Sequence, residues 1–169
     1  RPEFLPEEMP GREREMRDLA KRIRATYACI GERDEYLYDT PEVRMELTEA
    51  IRFCRADVIF THFSPDYNVD HMTVNLLVRQ CAMQSTFPMV KTHAAPLKVN
   101  PAVFQVEPSG SFEFEPSHYV DITEEIEVKR TLARYHRSQD DAFRAALKKG
   151  LDDWICENSR FRGSQVGVA

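Results

Sequence analysis

Residues 57–71 read DVIFTHFSPDYNVDH, and their reading decides the fold. Residues 57–62 form a short, apolar, β-branched run, the pattern of a buried strand. Residues 63–69 hold Ser64, Pro65, Asp66 and Asn68, which is loop chemistry. From Asp70 onward Val74, Leu77, Val78 and Cys81 recur at helical spacing. A strand ending in polar residues, then a loop, then a helix start is the site-bearing edge of an open α/β sheet. That edge carries His62, Asp66, Asn68, Asp70 and His71, each able to bind a metal, move a proton or hydrogen-bond a ligand. Asp70 reads equally well as a plain helix N-cap, and the two histidines as ordinary loop residues.

Upstream, Thr40-Pro41 marks a helix start, with a Thr cap and Pro at the first helical position. Val43, Leu47, Ala50, Ile51 and Cys54 give that helix one apolar face. Before it, residues 27–30 are an apolar strand candidate stopped by Gly31, and Asp34 follows in a turn. Residues 12–25 read as a charged helix with Met16, Leu19, Ala20 and Ile23 on one stripe. The opening RPEFLPEEMPG has no periodicity and reads as a loop. The order helix, strand, helix, strand, helix predicts a parallel sheet covered by helices.

The second half changes character. Prolines recur from residue 88 to 116 among short β-like pieces such as 89–92 and 103–106. Residues 119–122 read as a strand or extended piece. Thr123 caps a single long helix to about Lys149, with Gly150 just beyond its end. A last short helix spans 151–156, and the tail from Ser159 reads as polar and irregular. His93 and His118 are lone histidines, and His136 falls inside the long helix; structural or exposed roles are expected for all three.

A chain of 169 residues is the length of one domain with a sizeable core. A net charge of −5 and the lack of a basic run interleaved with aromatics argue against a nucleic-acid partner. No apolar run reaches the length of a membrane span, and no signal peptide is visible. Cys29, Cys54, Cys81 and Cys156 form no CxxC pair, so they read as reduced core residues of a cytoplasmic protein. Only six glycines occur, and none makes a phosphate-binding GxGxxG.

Four pieces, in order, resemble the LmbE-like (PIG-L) zinc-dependent N-acetylglucosaminyl deacetylases. They are Arg12-Glu13-Arg14-Glu15; Asp34 with Tyr36-Leu37-Tyr38-Asp39-Thr40-Pro41; residues 56–62 with Asp66-Tyr67-Asn68-Val69-Asp70-His71; and Tyr119-Val120-Asp121-Ile122 followed by Lys129, His136-Arg137-Ser138-Gln139 and Arg160-Phe161-Arg162-Gly163. The resemblance implies a Rossmann-like parallel sheet flanked by helices. It also implies a zinc hydrolase, with another divalent metal as an alternative, that removes an acetyl group from an N-acetylated sugar or sugar conjugate. His71 matches the family's third metal ligand. Asp66, Asn68 and Asp70 match catalytic positions around the reacting centre, with Asp70 orienting a neighbour. Arg12 and Asp34 match contacts to sugar hydroxyls. The partner is then a small-molecule sugar, with self-association into a homo-oligomer as a further expectation.

Two departures qualify the match. The family's His-Pro-Asp-Asp motif, source of two ligands and the base, is absent: none of His62, His71, His93, His118 or His136 precedes Pro-Asp. The expectation is one LmbE-like domain, 1–169, truncated before its first strand and helix, with truncation at its C-terminus as a further alternative, that binds zinc weakly alone and is inactive in isolation. Second, Asn68 replaces the inner histidine of the family's Asp-x-His-x-Asp-His motif. It can donate a hydrogen bond but cannot carry a proton; His62 is the candidate to take that role. The alternative reading is a non-catalytic relative kept for binding or assembly.

Overall fold

The computed structural model describes residues 9–108 and 113–168. Its contacts divide the chain into two units, one of residues 1–27 and 117–169, the other of residues 28–116. The second unit holds α2 (Pro41–Cys54), β1 (Val58–His62), α3 (Val69–Gln84) and β2 (Ala102–Val106). The first holds α1 (Met9–Arg22), a 3₁₀ turn at Thr123–Glu125, α4 (Ile126–Ala133), α5 (Arg137–Leu147) and α6 (Leu151–Val166).

In the second unit β1 and β2 pair in parallel, Val58 opposite Ala102 and His62 opposite Val106. The strand, loop and helix expected from residues 57–71 are present, and α3 is the crossover from β1 to β2. Alternation along β1 buries Thr61 and leaves Val58 and Phe60 exposed, so helix packing covers one sheet face. The core lies between α2 and α3, where Val43, Ile51, Leu77, Val78, Cys81 and Ala82 are buried. α2 starts as its sequence predicts: the Thr40 hydroxyl accepts the Val43 N–H at 3.3 Å, and Pro41 occupies the first helical position.

Arg52 joins α2 to the chain beyond α3. It is 2 % exposed, and among the described residues it faces no carboxylate. Its guanidinium donates to the carbonyls of Gln84, Ser85, Phe87 and Val90 and to the Thr92 hydroxyl, at 2.6–3.3 Å. The Ser85 hydroxyl closes the same turn on the Ala82 carbonyl. Five acceptors around one fork explain why residues 85–92 form an ordered loop and not the β-like piece expected at 89–92.

Residues 27–30 are not a strand. Residues 28–30 are exposed, and the partner of β1 comes from the proline-rich half. An apolar run becomes a strand only when another edge accepts its backbone bonds. Residues 119–122 likewise run into the 3₁₀ turn without ladder pairing. Cys29 and Cys54 are exposed, whereas Cys81 and Cys156 are buried as expected; all four are free. Residues 1–8 of the expected opening loop lie outside the described residues, and its last three are already helical.

In the first unit the expected long helix is two helices. The break at residues 134–136 carries no Gly or Pro. The Glu15 carboxylate of α1 accepts the Ser138 N–H at 3.1 Å and its hydroxyl at 2.9 Å, capping the first turn of α5 from 123 residues away. His136 is thus the residue before α5 and not mid-helix. Lys148, in the left-handed region at φ 56°, ends α5. Gly150 opens α6, where a Cβ would come within 2.6 Å of Arg144 Nη2 and Asp152 Oδ1. α6 runs ten residues past its expected end, packing on α4 with Ala133 and Cys156 buried. Trp154 sits half-buried against Phe143, ring centres 5.4 Å apart.

Arg52→Met is expected to destabilise the protein by about 3 kcal/mol or more, because each buried acceptor left unpaired costs about 1–3 kcal/mol. Urea unfolding of wild type and variant measures it; a loss under about 1 kcal/mol would show that water replaces the guanidinium.

Candidate active site

The polar edge predicted from residues 57–71 is built at the N-terminus of α3. Asn68 is the N-cap: its Oδ1 accepts the N–H of Asp70 at 2.8 Å and of His71 at 3.2 Å. The cap is Asn68, and not Asp70. With Oδ1 held by the helix, its amide NH₂ points the other way and donates to Glu35 Oε1 at 3.0 Å.

Asp66 is the buried centre of the loop, its side chain 0 % exposed. Oδ1 accepts the Asn68 N–H at 2.9 Å, and Oδ2 lies 3.0 Å from His71 Nδ1. That contact suits the tautomer with its N–H on Nδ1, donating to Oδ2, which leaves Nε2 with a free lone pair. Asp70, by contrast, turns from the histidines: Oδ2 accepts the Glu35 N–H at 2.7 Å and Oδ1 the Leu37 N–H at 3.2 Å. It pins the loop that carries the exposed Asp34 to the start of α3. Arg12 lies exposed on α1, in the other unit.

His62, at the end of β1, stacks on His71 with ring centres 3.9 Å apart and planes within 6°. Asn75 donates to its carbonyl at 2.6 Å. Burial, and secondarily the neighbouring His71, depress its pKa below the usual imidazole value; Asp66 pulls the other way. His62 is therefore neutral at pH 7. Tyr67 meets His71 edge-on at 5.7 Å.

Candidate ligand atoms of His62, Asp66 and His71 all lie within 4.8 Å of one another. Two imidazoles and a carboxylate are the donor types of catalytic zinc. Direction separates them. Lone pairs lie in the ring plane, and those of two parallel rings run side by side without meeting on one ion. Asp66 has both oxygens engaged. The arrangement fits a metal on His71 Nε2, with Asp66 as the carboxylate that orients the ring. It is not a complete three-ligand shell among the described residues.

These geometries were partly legible beforehand. Asp66, Asn68, Asp70 and His71 are brought together as their motif suggests, and Asp34's loop joins them. Glu35 and Asn75 were missed. Neither belongs to a motif; Glu35 arrives through a backbone at φ 65°, a conformation no sequence pattern announces in a non-glycine residue.

The PIG-L family, described as GlcNAc-PI de-N-acetylase, matches residues 6–82. No curated protein matches the chain. Three solved structures share its fold. The conserved protein TT1542 from Thermus thermophilus is 23 % identical with a TM-score of 0.77, over 95 % of this chain and 69 % of that one. The N,N'-diacetylchitobiose deacetylase from Pyrococcus horikoshii, complexed with its inhibitor MPG, is 22 % identical with a TM-score of 0.73, over 92 % and 59 %. GalB, the 4-carboxy-2-hydroxymuconate hydratase of Pseudomonas putida KT2440, is 18 % identical with a TM-score of 0.77, over 98 % and 67 %. The chain thus spans about six- to seven-tenths of the length of these relatives. The PIG-L match covers the whole of the Asp66–His71 motif, and the likeness of fold to the three solved structures runs over 92–98 % of the chain. Among the described residues no helix is long and apolar enough to cross a membrane.

Two outcomes follow for the site. Asn68→Ala should cost about 1 kcal/mol through loss of the cap, read by urea unfolding; no cost would mean the α3 start is held by Asp66 alone. For His62 the sign is set by its lowered pKa: folding favours the neutral ring, so stability is full above about pH 6.5 and falls as pH drops through the folded pKa. Unfolding midpoints from pH 7.5 to 5 should show that slope, and His62→Gln should flatten it.

Proposed function

We propose that this chain is an LmbE-like domain that removes an acetyl group from an N-acetylated sugar or sugar conjugate with the help of a divalent metal, zinc by its donor set. The observation that carries this reading is the buried Asp66 carboxylate 3.0 Å from His71 Nδ1, which aims the far nitrogen of the ring outward. Such a carboxylate–imidazole pair raises ligand basicity and fixes the tautomer. The PIG-L match and the deacetylase fold support the reaction class. A metal held there would polarise the amide carbonyl and lower the pKa of its bound water.

The remaining roles belong to the chain's own groups. Asp66 holds the His71 proton at Nδ1. Asn68 is occupied as cap and as donor to Glu35, so it positions the start of α3 and does not shuttle protons. His62, neutral and packed on His71, is the group able to take up a proton beside the metal. Asp70 keeps the backbone of residues 35–37 in place, and with it Asp34 for a sugar hydroxyl. Arg12 is assigned the second sugar contact by its place in the family motif. Further metal ligands would come from residues beyond this chain, in a cytoplasmic protein. A non-catalytic relative is the second reading, favoured by the single outward-directed imidazole.

Elemental analysis decides between them. The full-length protein should hold about one zinc per chain. His71→Ala should lose that metal and deacetylation of N-acetylated sugars together, with the fold intact by circular dichroism; full zinc occupancy in this variant would mean the ligand is another residue. The 169-residue chain alone should hold far less than one. Asn68→His should shift the pH–rate profile more than the metal content, and an unchanged profile would remove position 68 from proton handling.

A further inference from the structure

A cavity of about 510 Å³ opens between α1 and the turn that joins α4 to α5, within the first unit. Arg14, Lys21 and Arg22 line it from α1, and Arg137 from the start of α5. Two acids, Glu15 and Asp18, and Tyr135 complete the lining. The local balance is two positive charges, in a chain of net charge −5.

The pairing of these charges differs from that of four other arginines of the chain. Arg44 is paired with Asp39, Arg130 with Asp153, Arg134 with Asp152 and Arg144 with Asp140. Among the described residues the four cations of the cavity have no carboxylate partner, and the Tyr135 hydroxyl has no hydrogen bond. Glu15 is committed to Ser138 through both oxygens, and that bond ties the α1 wall to the α5 wall. The cations are thus carried on two helices whose spacing is fixed. The volume is that of a small-molecule site. A lining dominated by guanidinium forks and an ammonium suits a compact, multiply charged oxyanion, which such groups bind with charge-assisted bonds.

We propose that this groove binds a small ligand through a phosphate or pyrophosphate group held by Arg14, Lys21, Arg22 and Arg137. Asp18 opposes any anion, but the four cations outweigh it, and the net attraction of the lining grows with the charge of the ligand. The proposal does not depend on the reaction proposed above.

The full chain titrated with inorganic pyrophosphate and with orthophosphate, followed by amide chemical shifts at constant ionic strength, tests it. Saturable binding is expected, with pyrophosphate tighter, shifts centred on residues 14–22 and 135–138, and no equivalent response to chloride. Arg14→Gln with Arg137→Gln should weaken pyrophosphate binding about tenfold or more, as loss of two charge-assisted bonds implies. Asp18→Asn should tighten it several-fold, a gain that unfolding cannot produce. Absence of saturation, an equal response to chloride, or unchanged affinity in both variants would overturn the proposal.

Discussion

A single buried cation organises the unit that carries the site. Removing a guanidinium from water is costly unless its donors are met. Arg52 meets that cost without a counter-ion among the described residues, using carbonyls of the last turn of α3 and the loop beyond it. Those carbonyls lie at the negative end of the helix dipole, so the charge is favourable there. The consequence is geometric: α2 grips the C-terminal end of α3, and the apolar contacts of Val43 and Ile51 with Leu77, Val78 and Cys81 follow along the shared face.

The opposite end of α3 is where the chemistry collects. Four N–H groups at a helix start need partners, and here they draw Asn68 into the cap. That assignment propagates. The cap fixes the Asn68 amide, the amide meets Glu35, and Asp70 takes the two amides that hold the same loop. Asp66, sealed beneath, steadies His71 from behind. Each polar group has a structural partner, which leaves the far face of His71 and the neutral ring of His62 as the groups that face outward chemistry.

Charge pairing tells a different story in the first unit. Several of its ion pairs are exposed and contribute little to stability. Glu15 is the exception, because it satisfies two donors at the first turn of α5 and thereby sets where the helices break. The same bond gathers cations from residues 14–22 and from residue 137 around one cavity.

What the sequence determined by itself was local. Periodicity in residues 57–84 predicts strand, loop and helix because each signal depends on near neighbours, and Thr40-Pro41 sets the α2 start for the same reason. The motif from Asp66 to His71 is contiguous, so its residues could only come together. The tertiary structure decided what depended on distant partners. Residues 27–30 have the composition of a strand and no edge to pair with; residues 103–106 found one. The helix break at 134–136 needed Glu15, and the loop at residues 85–92 needed Arg52. Whether His62 could share a metal with His71 rested on the angle between two rings, a quantity that spacing along the chain does not encode.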